Sequence, residues 1–94
     1  NVYRENNISY LNLVLNDQLS GNMYIAMLEA TTGHKNHCIT IDNKTKCIYD
    51  ALEPYGLKLC SESFNVCCGP GNELKSITVM YEIKKKTRKI IISN

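Results

Sequence analysis

The chain reads as an α+β domain: an antiparallel sheet of about five strands, with an N-terminal helix packed on one face and a short helix after the third strand. Three observations point there. Apolar residues recur at a spacing of three to four over 7–19, the run 23–30 is apolar at nearly every position, and 76–83 alternates apolar with polar. Gly, Pro, Asn and Ser clusters separate these stretches. With 94 residues the chain forms one domain, 1–94, with one modest core.

The elements follow in order. Ile8, Leu11, Val14, Leu15 and Leu19 form the buried stripe of a helix over 7–19, widened by Tyr10 and Leu13. Ser20-Gly21-Asn22 stops it, with Gly21 suited to the left-handed cap. The run 23–30 reads as a central strand covered on both faces, and 31–36 has turn composition. The stretch 37–50 then reads as a short hairpin with His37 at one end and Asp50 at the other. A two-residue loop at Asn43-Lys44, or a four-residue loop over 42–45, produces one register. It opposes Ile39 to Ile48, Thr40 to Cys47 and His37 to Asp50. A loop of three or five residues breaks that pairing.

Pro54 and Gly56 mark 51–56 as a turn or loop, and 57–60 as a short edge segment. Ser61 caps a helix over 62–68 in which Phe64, Cys67 and Cys68 share a face, and Gly69-Pro70-Gly71 ends it. In 76–83 the alternation places Ile77, Val79, Tyr81 and Ile83 on one face and Ser76, Thr78, Met80 and Glu82 on the other. A basic turn over 84–89 leads to a last strand at 90–92 that returns antiparallel. The predicted order is helix, three strands, short helix, two strands.

Composition narrows the function classes. A hydrophobic share of 44% with 21% charged residues is that of a globular domain. The longest apolar run, 23–28, falls far below the ~18 residues of a membrane span, and the N-terminus has no signal-peptide character. A net charge of +2 is too mild to imply a polyanionic partner by itself. Five cysteines, with no CxxC spacing, suggest neither a closed disulfide framework nor a zinc knuckle, and favour a reducing, intracellular setting. The triplets Asn7-Ile8-Ser9 and Asn43-Lys44-Thr45 match glycosylation acceptors, a pattern that a chain rich in Asn, Lys and Ile generates by chance. Because the first residue is not Met, the chain reads as an excerpt of a longer protein or a processed product. His34, His37 and Cys38, with Cys67 or Cys68, match no standard ligand spacing, so no metal or other cofactor is expected.

The hairpin is where the residues suggest chemistry. A histidine acting as general base needs its far nitrogen held by a carboxylate or amide, which fixes the tautomer and stabilises the imidazolium. His37 opposite Asp50 meets that demand. The plainer reading makes His37 a strand-end residue and Asp50 the start of a loop.

The run His37-Cys38-Ile39-Thr40-Ile41-Asp42, a hairpin turn and Ile48-Tyr49-Asp50 resemble the second half of papain-like cysteine peptidase domains, nearest to the bacteriocin-processing subgroup. There a strand opening with His and a following strand ending in Asp supply two of three catalytic groups. Gly21 followed by the apolar strand 23–28 is similar to the segment before that histidine. The resemblance covers about 19–52 and implies His37 as general base and acid, Asp50 as its orienting partner, and a peptide or protein substrate. It also implies a nucleophilic Cys at a helix start N-terminal to the His, and no cysteine precedes Cys38. The nucleophile therefore lies on an upstream segment, or the domain is a pseudoenzyme that keeps the fold for binding. Cys60, just before a predicted helix N-terminus, is the internal alternative. Cys38, Cys47, Cys67 and Cys68 read as core filling.

The other class is a non-catalytic interaction domain. Lys84, Lys85, Lys86, Arg88 and Lys89 place five positive charges in six residues, a phosphate-contacting turn if the partner is nucleic acid. The aromatics are too scattered for a stacking platform, and a basic hairpin tip also serves to protect a sheet edge. An unpaired sheet edge offers a protein partner a second mode of contact.

Overall fold

The computed structural model of the chain describes residues 9–32, 37–51 and 53–84. Among these the order is α1 (Tyr10–Leu15), β1 (Met23–Ala30), β2 (His37–Asp42), β3 (Cys47–Asp50), β4 (Glu53–Lys58), α2 (Ser61–Cys68) and β5 (Leu74–Ile83). The strands form one antiparallel sheet in the order β4-β3-β2-β1-β5. The first four make a meander, and α2 then carries the chain across one face to the opposite edge, where β5 pairs with β1. The α+β class and the antiparallel sheet agree with the sequence. The short helix follows the fourth strand rather than the third, and the predicted strand 90–92 lies outside the described residues.

The core lies between that face and the helices. Leu13 and Val14 of α1 and Phe64 and Cys67 of α2 pack on Tyr24, Ala26, Leu28, Ile39, Ile41, Ile48, Ile77 and Met80. Exposure alternates strictly along β1, so this strand is central but covered on one face only. Met23, Ile25 and Met27 remain half-buried on the other.

The first helix is shorter than its apolar periodicity. Asp17 adopts a left-handed φ of 56°. Gln18 N–H then reaches back to Leu13 O at 2.9 Å and Asp17 N–H to Val14 O at 3.3 Å, which closes the helix with the paired bonds of a Schellman cap. Leu19 still enters the core, from beyond the helix. Asp17 thus takes the capping role expected of Gly21, and residues 7 and 8 of the predicted helix are outside the described set. Gly21 is required for another reason. A Cβ there would stand 2.6 Å from the Tyr24 hydroxyl and 2.8 Å from a Glu82 carboxylate oxygen.

β4 replaces the predicted loop and edge segment. Pro and Gly weaken a strand signal, yet both are tolerated at a sheet edge, and β4 is an edge. Gly56 leaves room for the Tyr49 ring, whose Cε1 would be 2.9 Å from a Cβ at that position. α2 starts one residue early, with Cys60 at its N-cap.

In β5 the alternation is interrupted. Val79 pairs with Met27 and Ile77 with Leu28, so Thr78 is an extra residue that shifts the faces. Ile77 and Met80 consequently point into the core, while Val79, Tyr81 and Ile83 line the open face. The single-face grouping expected from the sequence is therefore wrong.

Two substitutions test this packing. Phe64→Ala removes a fully buried ring and is expected to cost about 3–5 kcal/mol. Gly21→Ala drives a methyl into the Tyr24 hydroxyl and is expected to cost about 1–3 kcal/mol. Urea unfolding of each variant reads both losses.

Candidate acid–base pair

His37 opens β2 and Asp50 closes β3. His37 pairs with Leu28 of β1, so its side chain shares the helix-covered face with Leu28 and Ile39. Asp50 is on that face as well. Its side chain is 3% exposed, against 30% for His37, and His37 Nε2 lies 2.7 Å from Asp50 Oδ2. A buried carboxylate accepting from Nε2–H fixes one tautomer and leaves Nδ1 with a lone pair. In the serine-protease arrangement the acid holds the other nitrogen. Such a pair can take a proton at Nδ1 and stabilise the resulting imidazolium, a charge-assisted bond in a low-dielectric setting.

The pair forms in a register other than the expected one. Thr40 faces Tyr49, Ile41 faces Ile48 and Asp42 faces Cys47. Continuing that ladder sets Asp50 across from Ile39, with His37 one diagonal step away. Diagonal neighbours have Cα atoms about 7–8 Å apart, within reach of an imidazole and a carboxylate. The loop is the four residues Asn43 to Lys46, so its even length preserves the faces while the direct opposition is lost.

The turn shows why. Asp42 Oδ1 accepts from the backbone N–H of Lys44 at 3.0 Å and Thr45 at 3.1 Å. The left-handed position falls on Lys46, with φ of 59°. In the expected four-residue loop that position falls on Thr45, where β-branching disfavours it. Asn43 is buried. Its Nδ2 donates to Leu19 O at 3.0 Å and Gly21 O at 2.8 Å, and its backbone N–H donates to Asn22 O at 2.8 Å. Lys46 Nζ donates to Asn43 Oδ1 at 2.7 Å and pairs with Asp17. Sequence reasoning placed Asn43 in a turn but missed this anchoring, since its acceptors lie more than twenty residues away. Both Nδ2 protons are in use, so the folded Asn43-Lys44-Thr45 triplet offers no free amide to a glycan. The triplet at Asn7 includes residues outside the described set.

Cys38, Cys47 and Cys60 do not complete the pair. Cys38 is exposed on the open face, the side of the sheet away from His37, and Cys47 shares that face. Both are therefore surface or half-buried residues rather than core filling. Cys67 is buried on the inner side of α2, as expected, and burial raises the pKa of the half-buried Cys68 thiol. Cys60 lies 3.3 Å from the Ser63 hydroxyl. The Glu62 carboxyl is held below its ordinary range by its own backbone N–H and by the Cys60 thiol. Leu59 N–H bonds Lys46 O, which puts Cys60 at the turn end of the sheet, whereas His37 is at the other end of β2. Five strand steps of ~3.3 Å separate those ends. His34, Lys85, Lys86, Arg88 and Lys89 fall outside the described residues. Lys84 is exposed just after β5, and no group of potential metal ligands converges among the described residues.

The turn makes a prediction about pH. Hydrogen bonds from the Thr45 and Lys44 N–H groups hold the Asp42 carboxyl below its ordinary value of 3.8. A depressed folded value means that this contribution to stability is complete above the unfolded value and is lost as pH falls through the lower, folded one. Asp42→Asn keeps an acceptor oxygen but cannot ionise. Urea midpoints measured between about pH 5 and pH 2 are therefore expected to fall more steeply for the wild type than for Asp42→Asn.

Comparison of the chain with protein-family models, curated proteins and solved structures finds no match to any of them.

Proposed function

We propose that this domain is the His/Asp half of a papain-like cysteine peptidase, with the nucleophilic Cys supplied by a segment upstream of these 94 residues. The observation that carries the reading is the 2.7 Å contact between His37 Nε2 and the buried Asp50 carboxylate, a bond that places the acceptor lone pair of the imidazole on Nδ1. In the reaction His37 Nδ1 takes the thiol proton, and the thiolate attacks the carbonyl carbon of a peptide bond. Asp50 stabilises the imidazolium, which then delivers its proton to the leaving amine as the thioester forms. Water hydrolyses the thioester with His37 again as base. The 94 residues alone are not expected to be active, because Cys38 lies on the opposite face of the sheet from His37 and Cys60 at the opposite end of β2.

A second reading, a non-catalytic interaction domain, is favoured by the open face. Tyr49 and Tyr81 are each 42% exposed and Ile83 is 40% exposed, beside half-buried Met23, Ile25 and Met27.

The test uses the full-length protein and a cysteine-directed activity probe. Under the peptidase reading the probe labels a cysteine upstream of this domain. His37→Ala is then expected to slow labelling by roughly 10²-fold or more, the usual contribution of a general base. Equal labelling in a folded His37→Ala protein, or none in the wild type, overturns the peptidase and leaves the interaction domain.

A further inference from the structure

The hairpin has two registers that keep the same residues on the same faces. In the one adopted, Ile41 faces Ile48. Sliding β3 by two residues opposes Ile39 to Ile48 and His37 to Asp50, and a two-residue slip returns every side chain to its original face. Which face is buried therefore does not decide between them. The turn does.

We propose that Asn43 is the positioning residue that sets this register and, through it, determines which imidazole nitrogen of His37 is held by Asp50. In its catalytic meaning this inference rests on the function proposed above. The turn chemistry supports it first. Asn43 closes the observed turn onto the α1–β1 connection through Leu19 O, Gly21 O and Asn22 O. A type I′ turn centred on Asn43 and Lys44, the one that Asn at its first position favours, would need both at positive φ, and would withdraw Asn43 from those acceptors.

Reach supports it next. Directly opposed residues have Cβ atoms ~4.5–5.5 Å apart, a span that suits the near nitrogen, Nδ1, whereas the longer diagonal suits the far one, Nε2. The structure has the diagonal and the Nε2 bond. Asn43 thus acts about 20 Å from the pair, six strand residues away at ~3.3 Å each. Holding the acid on Nε2 frees Nδ1 for proton transfer. The other register reverses the two nitrogens.

The test creates a conflict at the turn. Lys44→Gly in the full chain produces an Asn-Gly pair, the strongest two-residue hairpin signal and one that favours the slid register. If Asn43 dominates, NMR of Lys44→Gly still shows Ile41 across from Ile48 and a proton on His37 Nε2. Adding Asn43→Asp removes both amide donors but retains a good two-residue turn pair, so the hairpin still forms. Ile39 then replaces Ile41 across from Ile48, and the imidazole proton moves to Nδ1. A register shift in Lys44→Gly alone overturns the proposal. So does the original register in the double variant, or a shifted register with the proton still on Nε2. Failure of probe labelling with these spectra as expected removes the peptidase reading and leaves the role of Asn43 standing.

Discussion

One side-chain amide ties the hairpin tip of this fold to the entry of its central strand. Asn43 sits at the tip of a hairpin, a place where a polar residue ordinarily faces water. Here it is buried, and its protons go to Leu19 and Gly21 carbonyls on the connection that leads into β1. That connection has been released from α1 by the left-handed Asp17, and Asp17 is in turn paired with Lys46 of the same turn. Helix end, strand entry and hairpin tip are therefore one hydrogen-bonded unit. Every buried side-chain nitrogen and oxygen among the described residues has a partner, as a core this small requires.

The sheet is one-sided. Both helices lie on the face of Tyr24, Ile41 and Ile48, and the other face keeps Met23, Ile25 and Met27 half-exposed. This explains an ambiguity in the sequence: continuous apolarity in β1 marks a strand with neighbours on each edge, but does not reveal how many layers cover it. The two bulges in β5 have a related effect. They twist an edge strand and redirect side chains, so Met80 enters the core although its parity with Ile77 would exclude it.

The pair of His37 and Asp50 depends on both features. The helix-covered face removes the carboxylate from water, and the end position of β2 leaves the imidazole partly open. A buried carboxylate beside a half-open imidazole is the arrangement that acid–base chemistry uses. Neither Cys38 nor Cys60 can act as its nucleophile. Cys38 is adjacent in sequence, but alternation turns it to the opposite face, and Cys60 sits at the opposite end of the strands.

The sequence by itself determined the class of fold, the existence and extent of β1, the hairpin, and the face shared by Phe64 and Cys67. That His37 and Asp50 share one side of the sheet followed from the sequence only for an even loop, and the four-residue loop of the structure supplies that condition. Only the tertiary structure decided that they meet on a diagonal. The reason is physical: the register depends on which turn residue takes a positive φ, and on amide bonds to carbonyls that are remote in the chain. Neither appears in periodicity. The same remoteness hid β4, whose Pro and Gly are tolerable only at an edge, and the Thr78 bulge, which is defined by its partner strand and not by its own sequence.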